Sequence, residues 1–568
     1  MLSLNPLIAA ALSLAPGFEI LEGEEALEAP SVKSEFTLFT GATIHLGDAK
    51  GSRASALLVA GGKVVEFGAE HEFAERRLDS DWEVVDLHGA YVVPGLQDAH
   101  CEVSLLGRRL SEIDLSGLVG SEAIVEHIVS RSTAVEEGRW ILAHGWEPDE
   151  LPGPDSELAK ELASRYPNNP VRISHIDRSV AFLNRRALMV AGFDESRPHS
   201  VHGGHFERDE EGKPTGLVFG KALEQVERVL PSRSRSDVQG EILAAQELLL
   251  SLGITAVHDM GVGRESEEAY RALVSDGRLQ MRVIGYLDGR RELRNEWLQR
   301  GPVAPDEFDR FCIQGVALDA DGSLALRTAN LLRGYLDARQ RKADWLLTDS
   351  DLRDRIAKSM AAGLQPVVYA TGDRACRTVL DVYEEFTIAN PESRRLRPRL
   401  EGVLLVSPKD WARFPGLGVL PSMQPLESMT DWIERRVEQD QVRGALAWRD
   451  VAPNIGRFAL GSRSPSRSPD PLVGLHAARV LAGQAPKHPD VSEEKRDLVN
   501  ARAALAGYTA GAAYASHQED RRGQLFEGFW ADMTVFDKSP VEGELDELLQ
   551  ANVLMTIIGG EIVWTADH

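Results

Sequence analysis

The sequence predicts an α/β protein on three observations. In the middle of the chain, amphipathic helical stretches lead into short apolar strands: "RSDVQGEILAAQELLLSLG" runs into "ITAVHDM", and "DLRDRIAKSMAAG" into "LQPVVYATGD". Between Phe36 and Leu87, alternating stretches such as "FTLFTGATIHL", "SALLVAGGKVVEFG" and "WEVVDLHG" are separated by Gly-rich turns, as hairpin strands are. The same character returns at the far end, in "GFWADMTVFDKS" and "VLMTIIGGEIVWT", where Gly-Gly sits between two strands as in a tight hairpin. Repeated helix-then-strand units fit a parallel sheet or a (β/α) barrel, with chemistry at the strand ends. The two remote β segments fit one small sheet closed by both termini.

Taken in order, residues 1–35 are a flexible acidic lead-in that contains a weak signal-like apolar run. Nothing positive precedes that run, so a cytoplasmic location is favoured over export. Residues 36–93 supply the first part of the terminal sheet, 94–500 the helix-strand region, and 501–568 a helix followed by the second part of the sheet. From about 140 to 225, Pro, Gly and Asp clusters and the hairpin-like "HGGHFERDEEGKPTG" interrupt the rhythm. This stretch reads as an insertion over one strand end, a natural place for a substrate loop.

Composition excludes several classes. With 88 Asp and Glu against 63 Lys and Arg the formal charge is -25, and no basic run offers a path for a phosphate backbone, so nucleic acid is not an expected partner. No segment reaches the ~18 uninterrupted apolar residues of a membrane span. Cys101, Cys312 and Cys376 are scattered and lack CxxC spacing, which argues against a disulfide framework or a zinc knuckle. A soluble chain is expected, and a homo-oligomer stays open as a general option.

The stretches "VVPGLQDAH", "GITAVHDMG", "GVALDADG", "VVYATGDR", "RPRLEG" and "GFWADMTVFD" occur in an order that resembles the amidohydrolase superfamily, in the branch with N-substituted formamide deformylases. The resemblance runs from about Phe36 to Trp564. It implies a TIM-like (β/α)8 barrel, a β-sandwich built from both terminal regions, and hydrolysis of non-peptide carbon-nitrogen bonds with a divalent metal such as zinc. It also implies the ligand positions: His-x-His after the first strand, a carboxylated Lys, a His on each of two later strands, and an Asp after the last.

Residue by residue, those positions depart from the pattern. The first pair reads His100 and Glu102, which share a strand face at i and i+2. Ala317 stands in the Lys position, Tyr369 and Gly402 in the two later His positions, and Arg463 in the Asp position. The substrate-facing Asp-Gly-His of the insertion reads Asp177, Arg178 and Ser179. Because one ligand became acidic and another basic, an ion pair between Glu102 and Arg463 is expected to fill the vacated position.

The expected protein therefore has no metal cofactor. It is catalytically weakened, or a pseudoenzyme whose pocket takes a small anionic or amide-type ligand. The rival expectation is an active amidohydrolase with a rearranged site of His100, Glu102, Tyr369 and Arg463, in which His100 and Tyr369 serve as base and acid. Among the other polar residues, His199, His202 and His205 read as a solvated hairpin rather than a metal loop. His258 reads as a structural histidine bonded to backbone, and Asp373 with Arg374 as the start of a helix.

Overall fold

A computed structural model describes residues 35–566, apart from 79–80, 148–155, 177, 194–199, 202–203, 291–292, 340–345, 429–431, 443–456 and 485–499. Eight parallel strands, here β1 to β8, form the centre: Leu96–Cys101, Ile254–Val262, Arg282–Asp288, Phe311–Asp319, Gln365–Ala370, Arg399–Gly402, Leu420–Met423 and Ala459–Leu460. Each pairs with its neighbour in sequence. A parallel bridge between Cys101 and Ser464 brings the two outer edges together. Of the alternatives open to helix-strand repeats, the barrel is the one adopted.

Local chemistry explains the helix-to-strand junctions. Three helices matter for the site: α1 (Val103–Leu110), α2 (Leu223–Glu227) and α3 (Arg235–Ser251). Ser234 starts α3 with a capping box: its hydroxyl accepts from the Asp237 N–H at 3.1 Å, and the Asp237 carboxylate accepts from the Ser234 N–H at 2.7 Å. The buried face of α3, with Ile242, Ala245 and Leu249, packs into the main core beside Leu106 of α1. Gly107 permits that approach, because a Cβ there would fall 1.7 Å from the Glu241 carbonyl oxygen.

Both terminal regions build one eight-stranded sheet. Met533–Phe536 pairs antiparallel with Tyr91–Pro94, which is parallel to Phe36–His45. At its edge, Val553–Ile558 and Glu561–Thr565 form the expected hairpin, with Gly559 and Gly560 at φ 60° and 73°, as such a turn requires. A second, seven-stranded sheet is inserted between β1 and β2. It already begins at Ile113–Asp114, ahead of the Pro and Gly clusters, because that entry strand is only two residues long and has no periodic signal. Among the described residues no helix is long and apolar enough to cross a membrane.

The terminal sheet is tied to the barrel by charge. Arg282 of β3, 1% exposed, donates to both oxygens of Asp532 at 2.7 and 2.8 Å, and its guanidinium lies 4.4 Å from the Trp530 ring. Fork-to-fork geometry makes this one of the stronger kinds of pair. Removing one member leaves a buried charge without a partner, which costs about 3–5 kcal/mol. Arg282→Ala is therefore expected to lower the urea midpoint, as followed by near-UV circular dichroism, by far more than an exposed Arg76→Ala; equal shifts would count against this tie.

Candidate functional site

Glu102 follows β1 and immediately precedes α1, and its side chain makes no helix-capping bond. Its carboxylate is turned to two arginines instead. Arg178 of the inserted sheet donates from both terminal nitrogens, one of these bonds being 3.0 Å. Arg290, just beyond β3, donates from Nη1 and Nη2 at 3.0 and 3.1 Å. Arg290 is itself oriented by Asp288, which accepts from its Nε at 2.8 Å. Burial raises the Glu102 pKa, but the Arg178 and Arg290 charges and hydrogen bonds overcome this and hold it well below the usual range.

This arrangement corrects the expected Glu102 to Arg463 pair. Arg463 leans over the Tyr369 ring, 3.9 Å from its centroid, and pairs with Glu427 at 3.2 Å. Arg467 lies within 3.7 Å of the same Glu427 oxygen. Glu102 and Arg463 thus each meet a different partner of opposite charge. Arg178 and Arg290 are closer in number and geometry to what one carboxylate can accept. Arg178 and Arg463 both adopt left-handed backbone, at φ 63° and 64°, a costly choice for non-glycine residues that is common at functional sites.

Tyr369 and Gly402 are fitted to each other. A Cβ at Gly402 would lie 3.2 Å from the Tyr369 ring and 3.0 Å from the Ala370 carbonyl oxygen, and Gly402 has φ 83°. No larger side chain enters there without moving the tyrosine. The Tyr369 ring meets the His100 ring edge-on at 5.9 Å, and burial pushes its phenol upward, so it stays protonated at neutral pH. Ala317 packs in a buried cluster with Met260, Tyr286 and Val367, and its own side chain is a methyl group.

His100 is 7% exposed and shares Nδ1 with Glu401 at 2.9 Å. Glu401 also accepts from Arg399 Nε and Gln424 Nε2, both at 2.9 Å. Fully buried Arg399 contacts His258 Nδ1 at 2.9 Å and the Tyr286 hydroxyl at 3.1 Å. Since a guanidinium only donates, His258 Nδ1 accepts here, rather than the ring donating to backbone as expected. Burial, followed by the Arg399 charge, holds the His258 pKa well below its ordinary value. Among the described residues, no group of three or more His, Cys, Asp or Glu could hold a metal ion.

The strand ends open into a cavity of about 650 Å³, lined by Glu102, Asp259, Asp321, Arg290 and Arg463 from the barrel and by Arg178 and Ser179 from the inserted sheet. Asp177 lies outside the described residues, as do His199 and His202. His205 stacks on Phe219 at 4.7 Å. Asp259 accepts from the Tyr270 hydroxyl at 2.7 Å, and burial raises its pKa to about 6. Asp373 begins its helix but holds a loop, accepting from the Leu332 N–H at 2.8 Å and Gln441 Nε2 at 3.1 Å.

Sequence reasoning missed Arg290, Glu401, Arg399 and Glu427. Arg399 and Glu401 had a usable signal, a charged pair at i and i+2 in a short strand, which places both on one face. Arg290 had none, since it comes from a loop after an unremarked strand.

Glu102 sets an acid dependence. Its lowered pKa contributes stability that is fully present above the ordinary carboxylate value of ~4.3 and is lost as pH falls through the folded value. Glu102→Gln is expected to cost about 3–5 kcal/mol at pH 7, because two guanidiniums lose their anion. The gap from the parent protein should narrow below about pH 4. Denaturation curves at pH 7 and pH 3 with a constant gap would refute the assignment.

A family model described as the amidohydrolase family matches residues 83–564. A Bacillus subtilis (strain 168) protein provisionally named amidohydrolase YtcJ is 26% identical over 538 residues, covering 93% of this chain and 99% of that protein. The N-substituted formamide deformylase of Arthrobacter pascens is 26% identical over 543 residues, covering 92% and 97%. The crystal structure of an uncharacterized metal-dependent hydrolase from Pyrococcus horikoshii OT3 superposes with a TM-score of 0.72 at 26% identity, covering 90% of this chain and 99% of that one. Since the match runs through the barrel, the inserted sheet and the C-terminal part of the terminal sheet, the chain belongs to the amidohydrolase family.

Proposed function

We propose that this amidohydrolase-family protein does not work through a resident divalent metal, and that its cavity binds a small ligand with hydrolysis weakened or absent. The observation that carries the reading is the enclosure of Glu102 by Arg178 and Arg290. Unit charges about 4 Å apart interact by about 4 kcal/mol at an effective dielectric of 20, so two guanidiniums beside the nearest candidate ligand oppose a dication strongly. Ala317 supplies only a methyl group, Tyr369 a protonated phenol, Gly402 nothing, and Arg463 a further cation. Without an ion, no bound water reaches a pKa near 7 to act as hydroxide.

A second reading, an active hydrolase of a non-peptide carbon-nitrogen bond, is favoured by one contact. With His100 Nδ1 bonded to Glu401, Nε2 is the nitrogen left to act as a base, in the manner of a carboxylate-oriented imidazole. The relatives named for hydrolysis support that ancestry.

Metal analysis of protein from unsupplemented medium, alongside turnover of formamides and cyclic amides, separates the two. The expected result is zinc well below one per chain and no turnover above buffer. Stoichiometric zinc with turnover abolished by His100→Ala would reject the first reading. Metal-independent turnover that the same substitution removes would establish the second.

A further inference from the structure

We propose that Arg108, Arg172 and Lys221 form an anion subsite that takes the carboxylate of a small amphiphilic acid. The proposal rests on reading the cavity as a ligand pocket, and it places the ligand's charge away from the old metal position. There Arg178 and Arg290 share Glu102, and Arg463 pairs with Glu427.

The subsite is assembled from three elements that all line the cavity. Arg108 lies in the last turn of α1, Arg172 on the inserted strand Val171–His175, and Lys221 directly after the inserted strand Pro214–Gly220. Arg172 is 3% exposed. It pairs with Glu227 at 2.7 Å and lies 3.7 Å from Glu112. Arg108 reaches those same two carboxylates only at 3.9 and 3.7 Å, and Arg109 takes Glu112 at 2.6 Å. The buried Nε atoms of both Arg108 and Arg172 have no hydrogen-bond partner. Among the described residues no side-chain bond engages the Lys221 ammonium.

Charge is therefore uneven along this wall. Arg108, Arg109, Arg172 and Lys221 line the cavity with Glu224 and Glu227, and Glu112 pairs with Arg109 beside them, so four cations stand against three carboxylates in a chain whose net charge is -25. The crowding is felt by Arg109: burial lowers its pKa to about 10, Glu112 opposes this, and neighbouring Arg172 and Arg108 add to the lowering. The last turn of a helix suits Arg108 and Arg109 through the helix dipole, but that does not account for Arg172 or Lys221 on other elements. Beside these cations, Leu105, Val180, Leu223 and Val226 give the cavity an apolar wall. Apolar lining with a few convergent polar groups is how small-molecule pockets combine affinity with orientation.

The test is calorimetric titration of the full chain with hexanoate at constant ionic strength, with hexanol and inorganic phosphate as controls. Saturable hexanoate binding is expected, with phosphate and hexanol far weaker. Lys221→Gln and Arg108→Gln are each expected to raise Kd about tenfold, the effect of one charge-assisted hydrogen bond. Lys221→Gln breaks no existing side-chain bond, so it keeps the test valid if Arg108→Gln misfolds. Absence of hexanoate binding, phosphate or hexanol binding equally well, or affinity unchanged in the folded variants would overturn the subsite. Zinc content and amide turnover of the same preparations judge the earlier reading separately. Hexanoate binding by a zinc-loaded, active preparation would leave the subsite standing while that reading fell.

Discussion

The barrel mouth is organised around one carboxylate that accepts from two guanidiniums. Glu102 stands at the exit of β1, Arg178 comes from the inserted sheet and Arg290 from the loop after β3, so a single anion ties three remote parts of the chain together. A buried carboxylate is costly unless its oxygens are satisfied, and here both are. The same contacts decide the electrostatics of the cavity. They commit Glu102 to two guanidiniums, and they hold the inserted sheet against the strand ends.

The neighbouring residues Tyr369, Gly402, Arg463 and Glu427 are mutually adjusted. Tyr369 takes up the space that a side chain at Gly402 would need, and Arg463 covers the outer face of that ring while Glu427 answers its charge. Each residue makes sense beside its neighbour: a bulky ring demands a glycine, and a cation over an aromatic face gains from the ring's quadrupole. Below this layer the buried Glu401 accepts from Arg399 and pairs with His100 Nδ1, which gives the interior a specific bonded arrangement.

Much of the architecture could be read directly from the chain. Helix-strand repeats, the Ser234 capping signal and the Gly559-Gly560 turn are local patterns whose physics acts within a few residues, and each appears where its pattern lies. The inserted sheet was legible as an interruption, but its first strand, Ile113–Asp114, is too short to carry a period. At the site, the residue types at Glu102, Ala317, Tyr369, Gly402 and Arg463 were visible in the sequence. Their partners were not visible, because a sequence that shows an acid and several bases does not show which charges meet.

By itself, then, the sequence determined the classes of element, their order, and the chemical identity of every group at the strand ends, since those depend on local periodicity and on side-chain type. Only the tertiary structure decided that Glu102 is shared by Arg178 and Arg290 while Arg463 turns to Glu427 and Tyr369. Ion pairing falls off with distance and depends on donor geometry. Groups 76 and 188 positions from Glu102 in sequence become its partners only once the barrel and the inserted sheet have folded against each other.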